Sequence, residues 1–229
     1  MKPKEIFKKV KKQGRKNLTE FESRMVLEHY KIPLTKAGIA KTTEEAVEIA
    51  EKIGFPVVLK IISPDIVHKT DVGGLILNIK TKEELRNSFH QLIFNVKRKA
   101  AKAKISGILV QKMIEKGREV IIGGKKDSQF GQTLMFGGGG VLTEVMEDVS
   151  FRVCPINRKD AEEMVKETRY FKVLKGYRGK TCDIDALIEI LLKTSKLLEE
   201  NQEIVELDIN PVIALSKGAV AVDARIVID

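Results

Sequence analysis

Lys60 stands inside the run Val57-Val58-Leu59-Lys60-Ile61-Ile62, where a charge needs either an anion or a route to water. A lysine fixed in a rigid strand is a point charge suited to phosphate oxygens. A lysine on an edge strand, reaching solvent, is the competing reading. A second group lies near the C-terminus. In Ile204–Pro211, strand alternation places Glu206, Asp208 and Asn210 on one face and Val205, Leu207 and Ile209 on the other. A hairpin closed around Ser216-Lys217-Gly218 sets Asp223 opposite or diagonal to Asn210, which gathers the hard oxygen donors that magnesium takes beside nucleotide phosphates. A solvated polar hairpin face would show the same alternation.

Two loops complete the set. His68 sits in Ser63-Pro64-Asp65-Ile66-Val67-His68-Lys69-Thr70-Asp71-Val72-Gly73-Gly74, a polar stretch between apolar strands. An imidazole there is a nucleophile toward phosphoryl groups or simply a surface residue. Gly137–Gly140 follow Met135-Phe136, and such a run offers its N–H groups to an anion or forms a flexible hairpin tip.

These residues need elements to hold them. Phe21, Met25, Val26 and Tyr30 share a face of a helix over 19–30. Thr43-Glu44-Glu45-Ala46 opens another, ended by Gly54, and Pro56 directs the chain into the strand Val57–Ile62. A strand at Leu75–Ile79 and a helix bearing Leu85, Phe89, Leu92, Ile93 and Val96 follow. Short strands are expected at Ile108–Val110, Val120–Ile122 and Thr133–Phe136. Helices near 158–170 and 184–200 precede strands over 204–213 and 219–228. Interleaved helices and hairpins indicate an α+β fold in two lobes. Neither G-x-G-x-x-G nor G-x-x-x-x-G-K-[ST] occurs, so a nucleotide would be held without a Rossmann or Walker loop.

Composition removes other classes. Of the +9 formal charge, residues 1–16 hold eight Lys/Arg against one Glu, and the remainder is nearly balanced. A basic segment of that kind differs from the basic stripe of a nucleic-acid binder, and 5% aromatic residues give few stacking platforms. No nucleic-acid partner is expected. Cys154 and Cys182 have no ligand spacing for zinc. The apolar runs are too short for a membrane span, and the Lys-rich N-terminus lacks the apolar stretch of a secretory signal, so a cytoplasmic protein is expected.

Eight segments in order resemble the beta subunit of archaeal ADP-forming acetyl-CoA synthetase (acetate–CoA ligase). They are Gly54–Ile61, Ser63–Gly74, Gly117–Gly123, Asp127–Gly131, Phe136–Gly140, Asp148–Val153, Glu206–Pro211 and Val222–Arg225. The resemblance implies an ATP-grasp fold, α+β, with nucleotide between two lobes. It divides the chain into a basic N-terminal helical extension (1–18), a first lobe carrying the His68 loop (19–106) and a second lobe with the magnesium-binding strands (107–229). It also implies the reaction acyl-CoA + ADP + phosphate ⇌ carboxylic acid + CoA + ATP. By position, Lys60 is a phosphate ligand, Asn210 and Asp223 hold Mg2+, Val110, Gln111, Lys112 and Met113 border the adenine, and Glu119 lies near the nucleotide. His68 matches the phosphohistidine that passes its group to ADP, with Asp208 to orient it and Arg152 to hold phosphate. An alpha subunit with the CoA site, in an α2β2 heterotetramer, is the implied partner. The chain departs from the family at Gly138, where a bulky apolar residue is usual, and at the looser Gly123-Gly124-Lys125-Lys126. A succinyl-CoA synthetase-like or stand-alone ATP-grasp carboxylate ligase is the alternative enzyme. A basic, non-enzymatic nucleic-acid-binding module is the alternative outside catalysis.

Overall fold

Capping side chains fix where the helices start. The hydroxyls of Thr19, Thr42 and Thr81 accept from the N–H groups of Glu22, Glu45 and Glu84, and Asn157 and Asp183 accept from those of Asp160 and Ala186. In the computed structural model, which describes every residue except Val67, Glu115, 141–147 and Arg178, these caps open α2 (Glu20–His29), α3 (Thr43–Ile53), α4 (Lys82–Lys99), α5 (Arg158–Glu167) and α7 (Ile184–Glu200). The cap of α3 is Thr42, one residue before the Thr43 that opens the helical pattern. Gly54 ends that helix at φ 85°, a conformation only glycine adopts without strain.

The chain forms two compact units, Met1–Leu34 with Lys116–Asp229, and Thr35–Glu115. These bounds differ from the expected 1–18, 19–106 and 107–229. The reason lies in α1 (Pro3–Lys12) and α2, whose Ile6, Phe7, Val10, Val26 and Leu27 are buried in the core that also contains Leu187, Leu191 and Ile204. The basic segment is therefore one face of an integrated amphipathic helix and not an extension.

Within Thr35–Glu115, β1 (Ala37–Ala40), β2 (Val57–Ile62), β3 (Leu75–Ile79) and β4 (Gly107–Lys112) form an antiparallel sheet in the order β1-β4-β2-β3. Val57, Leu59, Ile61, Ile108 and Val110 face α3 and α4, where Ala46, Ala50, Leu85, Phe89 and Leu92 complete the core. The other unit has a six-stranded sheet built around β5 (Arg118–Asp127), β6 (Gly131–Gly138), β7 (Val149–Val153), β8 (Ile204–Ala214) and β10 (Arg225–Ile228), in the order β10-β8-β5-β6-β7, with β9 (Ala219–Ala221) also on β8. Val120, Ile122, Leu134, Phe136, Leu207 and Ile209 pack with α5, α7 and the short α6 (Phe171–Leu174). The expected strand over 219–228 is broken at Val222–Ala224. No helix among the described residues is long and apolar enough to cross a membrane.

Candidate functional site

Lys60 lies in the middle of β2, opposite Leu109 of β4 and Leu75 of β3. A strand paired on both sides rules out the edge-strand reading. Lys60 is 5% exposed and shares with Val58 and Ile62 the face away from α3 and α4. Along β4, Val110 points into the apolar core, and its backbone is laddered to Leu59 and Gly38. Gln111 takes the opposite face, donating to the Thr35 hydroxyl at 2.7 Å. The Lys112 ammonium donates to the carbonyls of Phe55 at 2.6 Å and Gly54 at 3.2 Å, and the Met113 N–H to that of Pro56. The 110–113 stretch is thus a fixed strand end whose apolar side chain serves the core.

His68 is exposed, on a loop fastened at both ends. Asp65 accepts from the Lys104 N–H at 2.7 Å, the Gly74 N–H donates to Lys69 at 2.7 Å, and the Lys99 ammonium holds the Asp71 carbonyl. A Cβ on Gly74 would come within 2.5 Å of the Ile61 side chain, so the loop joins β3 there only through glycine. Val67 of this motif lies outside the described residues.

In the other unit, strand parity sorts the remaining residues. Phe151, Met135, Gly123 and Asp208 are successive partners across β7, β6, β5 and β8, and share the face away from α5 and α7. Glu119 and Ile121 follow on that face of β5, and a bulge between Val120 and Ile122 sets Asn210 and Pro211 beside Ile121. Asn210 donates its N–H to the Asp223 carbonyl at 3.2 Å, and Val222 returns the bond to Pro211. The structure therefore brings Asp208, Asn210 and the Asp223 segment together, as alternation predicts, and sets Glu119 on the same sheet face. Burial, reinforced by the carboxylates of Glu206 and Asp223, pushes the Asp208 carboxyl above the ordinary carboxylate range, and Arg225 opposes the shift. Arg225 also pairs with Glu206 at 3.5 Å.

Arg152 is elsewhere. Its β6 partner is Leu134, a core residue, so its guanidinium lies on the helical side of the sheet, bonded to Glu167 of α5 and 3.7 Å from Glu163. The glycine run also differs from a loose anion loop. Gly137 and Gly138 are strand residues paired with Ile121 and Val120, and the Gly139 N–H donates to the Glu119 carbonyl at 2.7 Å. A Cβ on Gly139 would lie 2.6 Å from the Glu119 carbonyl carbon, so this close approach requires glycine. Gly123, Gly124 and Lys125, in the segment that departs from the family pattern, are laddered to both β6 and β8, and Lys126 to β6.

The oxygens of Asn210 and Asp223 have the hardness that Mg2+ prefers. Among the described residues no three His, Cys, Asp or Glu side chains form a group able to hold a metal alone. Such a donor set suits a cation that completes its shell with water and phosphate oxygens. Sequence reasoning passed over Arg24, a buried residue of α2 that interacts electrostatically with Glu20, Asp223 and Glu28. The spacing Glu20, Arg24, Glu28 was the available signal, since residues four apart share a helix face.

The chain is similar to known proteins along nearly its whole length. The family described as ATP-grasp domain matches residues 9–228. A Pyrococcus furiosus acetate–CoA ligase (ADP-forming) II subunit beta is 43% identical over 97% of the chain and 96% of its own length. An Archaeoglobus fulgidus acetate–CoA ligase (ADP-forming) I is 46% identical over 99% of the chain, which spans 33% of that longer protein. The solved structure of Ca. Korarchaeum cryptofilum acetyl-coenzyme A synthetase 1 with coenzyme A and Ca-AMPCP superposes with a TM-score of 0.95 at 48% identity, covering 99% of each chain. The same enzyme with Mg-AMPPCP, its phosphohistidine segment pointing towards the nucleotide site, gives 0.87 at 44% identity, covering 99% of this chain and 100% of that one.

Proposed function

The chain belongs to the beta subunits of ADP-forming acetate–CoA ligases, within the ATP-grasp family, and from that premise we propose that it is the nucleotide half of a cytoplasmic ADP-forming acyl-CoA synthetase. The reaction is acyl-CoA + ADP + phosphate ⇌ carboxylic acid + CoA + ATP. The CoA and acyl chemistry belongs to an alpha subunit, in an α2β2 assembly. The subunit naming of the Pyrococcus relative and the extra length of the Archaeoglobus one support that division.

In the ATP-forming direction a ring nitrogen of His68 attacks the phosphorus of a phosphohistidine presented by the alpha subunit. The new P–N bond forms as the old one breaks, returning the donor imidazole. A β-phosphate oxygen of ADP then attacks that phosphorus, the bond to His68 breaks, and ATP leaves with the imidazole restored. A relay of this kind keeps the activated phosphoryl group away from water between two separate chemistries. Lys60 supplies positive charge to phosphate oxygens from a rigid strand. Asn210 and Asp223 would hold Mg2+, which, when bound, withdraws charge from the transferring phosphoryl oxygens. Asp208 orients the accepting histidine, Glu119 approaches the nucleotide, and 110–113 border the adenine. Arg152 would reach phosphate only by releasing Glu167.

The observation that carries this reading is the gathering of Glu119, Asp208, Asn210 and the Asp223 segment on one sheet face. Titration calorimetry of the chain with ADP, with and without Mg2+, tests it. Mg2+-dependent binding is expected, lost in Asp223→Asn and weakened in Lys60→Ala, with no synthetase turnover until the alpha subunit is added. Binding indifferent to Mg2+ and to both substitutions would reject it.

A further inference from the structure

The helix α2 is laced to the strands on both sides of Asp223. Before the helix, the Leu18 N–H donates to the Ile226 carbonyl at 3.0 Å, and Asn17 bridges Val227. After it, the Pro33 carbonyl accepts from the Ala221 N–H at 2.8 Å, and Leu34 bridges Ala221. Residues 221–226 are thus pinned at each end by the two flanks of one helix, and Asp223 lies between the pins. At the middle of that helix Arg24 is 7% exposed, and Glu20, one turn earlier, is 6% exposed. The guanidinium interacts with both carboxylates, Glu20 on its own helix and Asp223 on the strand connection. Asp223 also has one oxygen fixed by the Ala224 N–H at 2.8 Å.

A charge pair removed from water is costly unless the geometry is well supplied with partners. The same buried cation lowers the negative potential of a carboxylate cluster that also contains Asp208 and Glu206. We propose that Arg24 is a positioning residue for the cation end of the site: its buried charge, on the helix that pins residues 221–226 at both ends, acts on the Asp223 carboxylate and keeps the cluster too weakly negative to retain a divalent cation without nucleotide. Magnesium then enters with the phosphates that complete its shell, which suits an ion that seldom occupies all-protein cages.

The inference rests on the assignment of Asp223 as a cation ligand, and the test separates the two. Mn2+ alone, without nucleotide, is titrated into the full-length chain and followed by paramagnetic relaxation of water protons. Arg24→Gln is expected to bind Mn2+ about tenfold more tightly than wild type, while Arg24→Lys, which keeps the charge, stays within about twofold. Glu20→Gln removes the competing carboxylate, so Mn2+ binding weakens; this isosteric change decides the matter if Arg24→Gln does not fold. Equal Mn2+ affinity in Arg24→Gln and wild type, or in Glu20→Gln and wild type when the first variant is unfolded, overturns the role of Arg24. With ADP present, where the cation is expected to bind, Mn2+ relaxation unchanged in Asp223→Asn overturns the ligand assignment itself, and the inference with it.

Discussion

Placing a side chain at Gly138 should cost stability through one identifiable neighbour. A Cβ built there would lie 2.7 Å from Cγ and 2.9 Å from Cδ2 of the Tyr170 ring. Carbon atoms settle at about 3.5–4.0 Å, so the ring must retreat by close to ~1 Å. Its backbone cannot follow, because the Tyr170 and Arg169 N–H groups are both held by the Asp148 carboxylate, at 2.9 and 2.8 Å. Overpacking of this kind costs about 1–3 kcal/mol. In a chain of this size each kcal/mol lowers Tm by about 2–4 °C. Tyr170→Ala alone removes a half-buried ring and should cost about 1–2 kcal/mol. Gly138→Val combined with Tyr170→Ala fills the vacated space, so the double variant should be more stable than the sum of the singles by about 1 kcal/mol or more. Urea denaturation of the four proteins measures that coupling. Additivity within about 0.5 kcal/mol would refute the steric argument. The same argument accounts for the departure of Gly138 from the family's bulky residue: Tyr170 already occupies the volume.

Two further outcomes concern the scaffold. Arg15 clamps Glu22 through two bonds, at 2.8 and 3.0 Å, with both side chains largely shielded. Burial alone would raise the Glu22 carboxyl, but the bonds from Arg15 and Thr19 outweigh it and the net shift is downward. A lowered carboxylate contributes stability above its ordinary pKa and loses it as pH falls through the folded value. Glu22→Gln should therefore cost about 1–2 kcal/mol at neutral pH and flatten the acid limb of a stability profile below about pH 4, an effect that a pH series of thermal melts would show absent if the clamp is idle. Asp183 caps α7 and also accepts from the Gly218 N–H at 2.8 Å, the first cause of its lowered pKa, ahead of the Ala186 N–H. Asp183→Ala should cost about 1 kcal/mol in denaturant midpoint at neutral pH, with the difference shrinking in acid; an unchanged midpoint would count against the cap.

Local patterns carried most of the architecture. The apolar stripe of α4 and the Pro56-to-Ile62 strand were readable because periodicity and punctuation agree there. The same holds for the shared face of Glu206, Asp208 and Asn210, which depends only on a period of two. Long-range facts were not readable. Whether β2 is central or at an edge depends on β4, which pairs with it from some fifty residues away. Arg152 alternates with Phe151, but only the pairing of β7 with β6 says which of the two faces α5. The strands β1 and β7 have too few alternating residues to stand out, and the lysines of α1 hid three apolar positions that belong to the core. Glycines at 137–139 look alike in sequence whether they form a loop or a strand in close contact with Glu119.

The most direct test of the account is the fate of phosphorus at His68. The chain, combined with its alpha subunit, is incubated with γ-labelled ATP and Mg2+, and the label is mapped by alkaline digestion and mass spectrometry. His29 and His90 lie on α2 and α4 and serve as controls. The account predicts an acid-labile, alkali-stable phosphoryl group on His68. It also predicts loss of ATP formation in His68→Ala, with nucleotide binding retained and full activity in His29→Ala and His90→Ala. Wild-type ATP formation by His68→Ala, or label mapped to another residue of this chain, would contradict it.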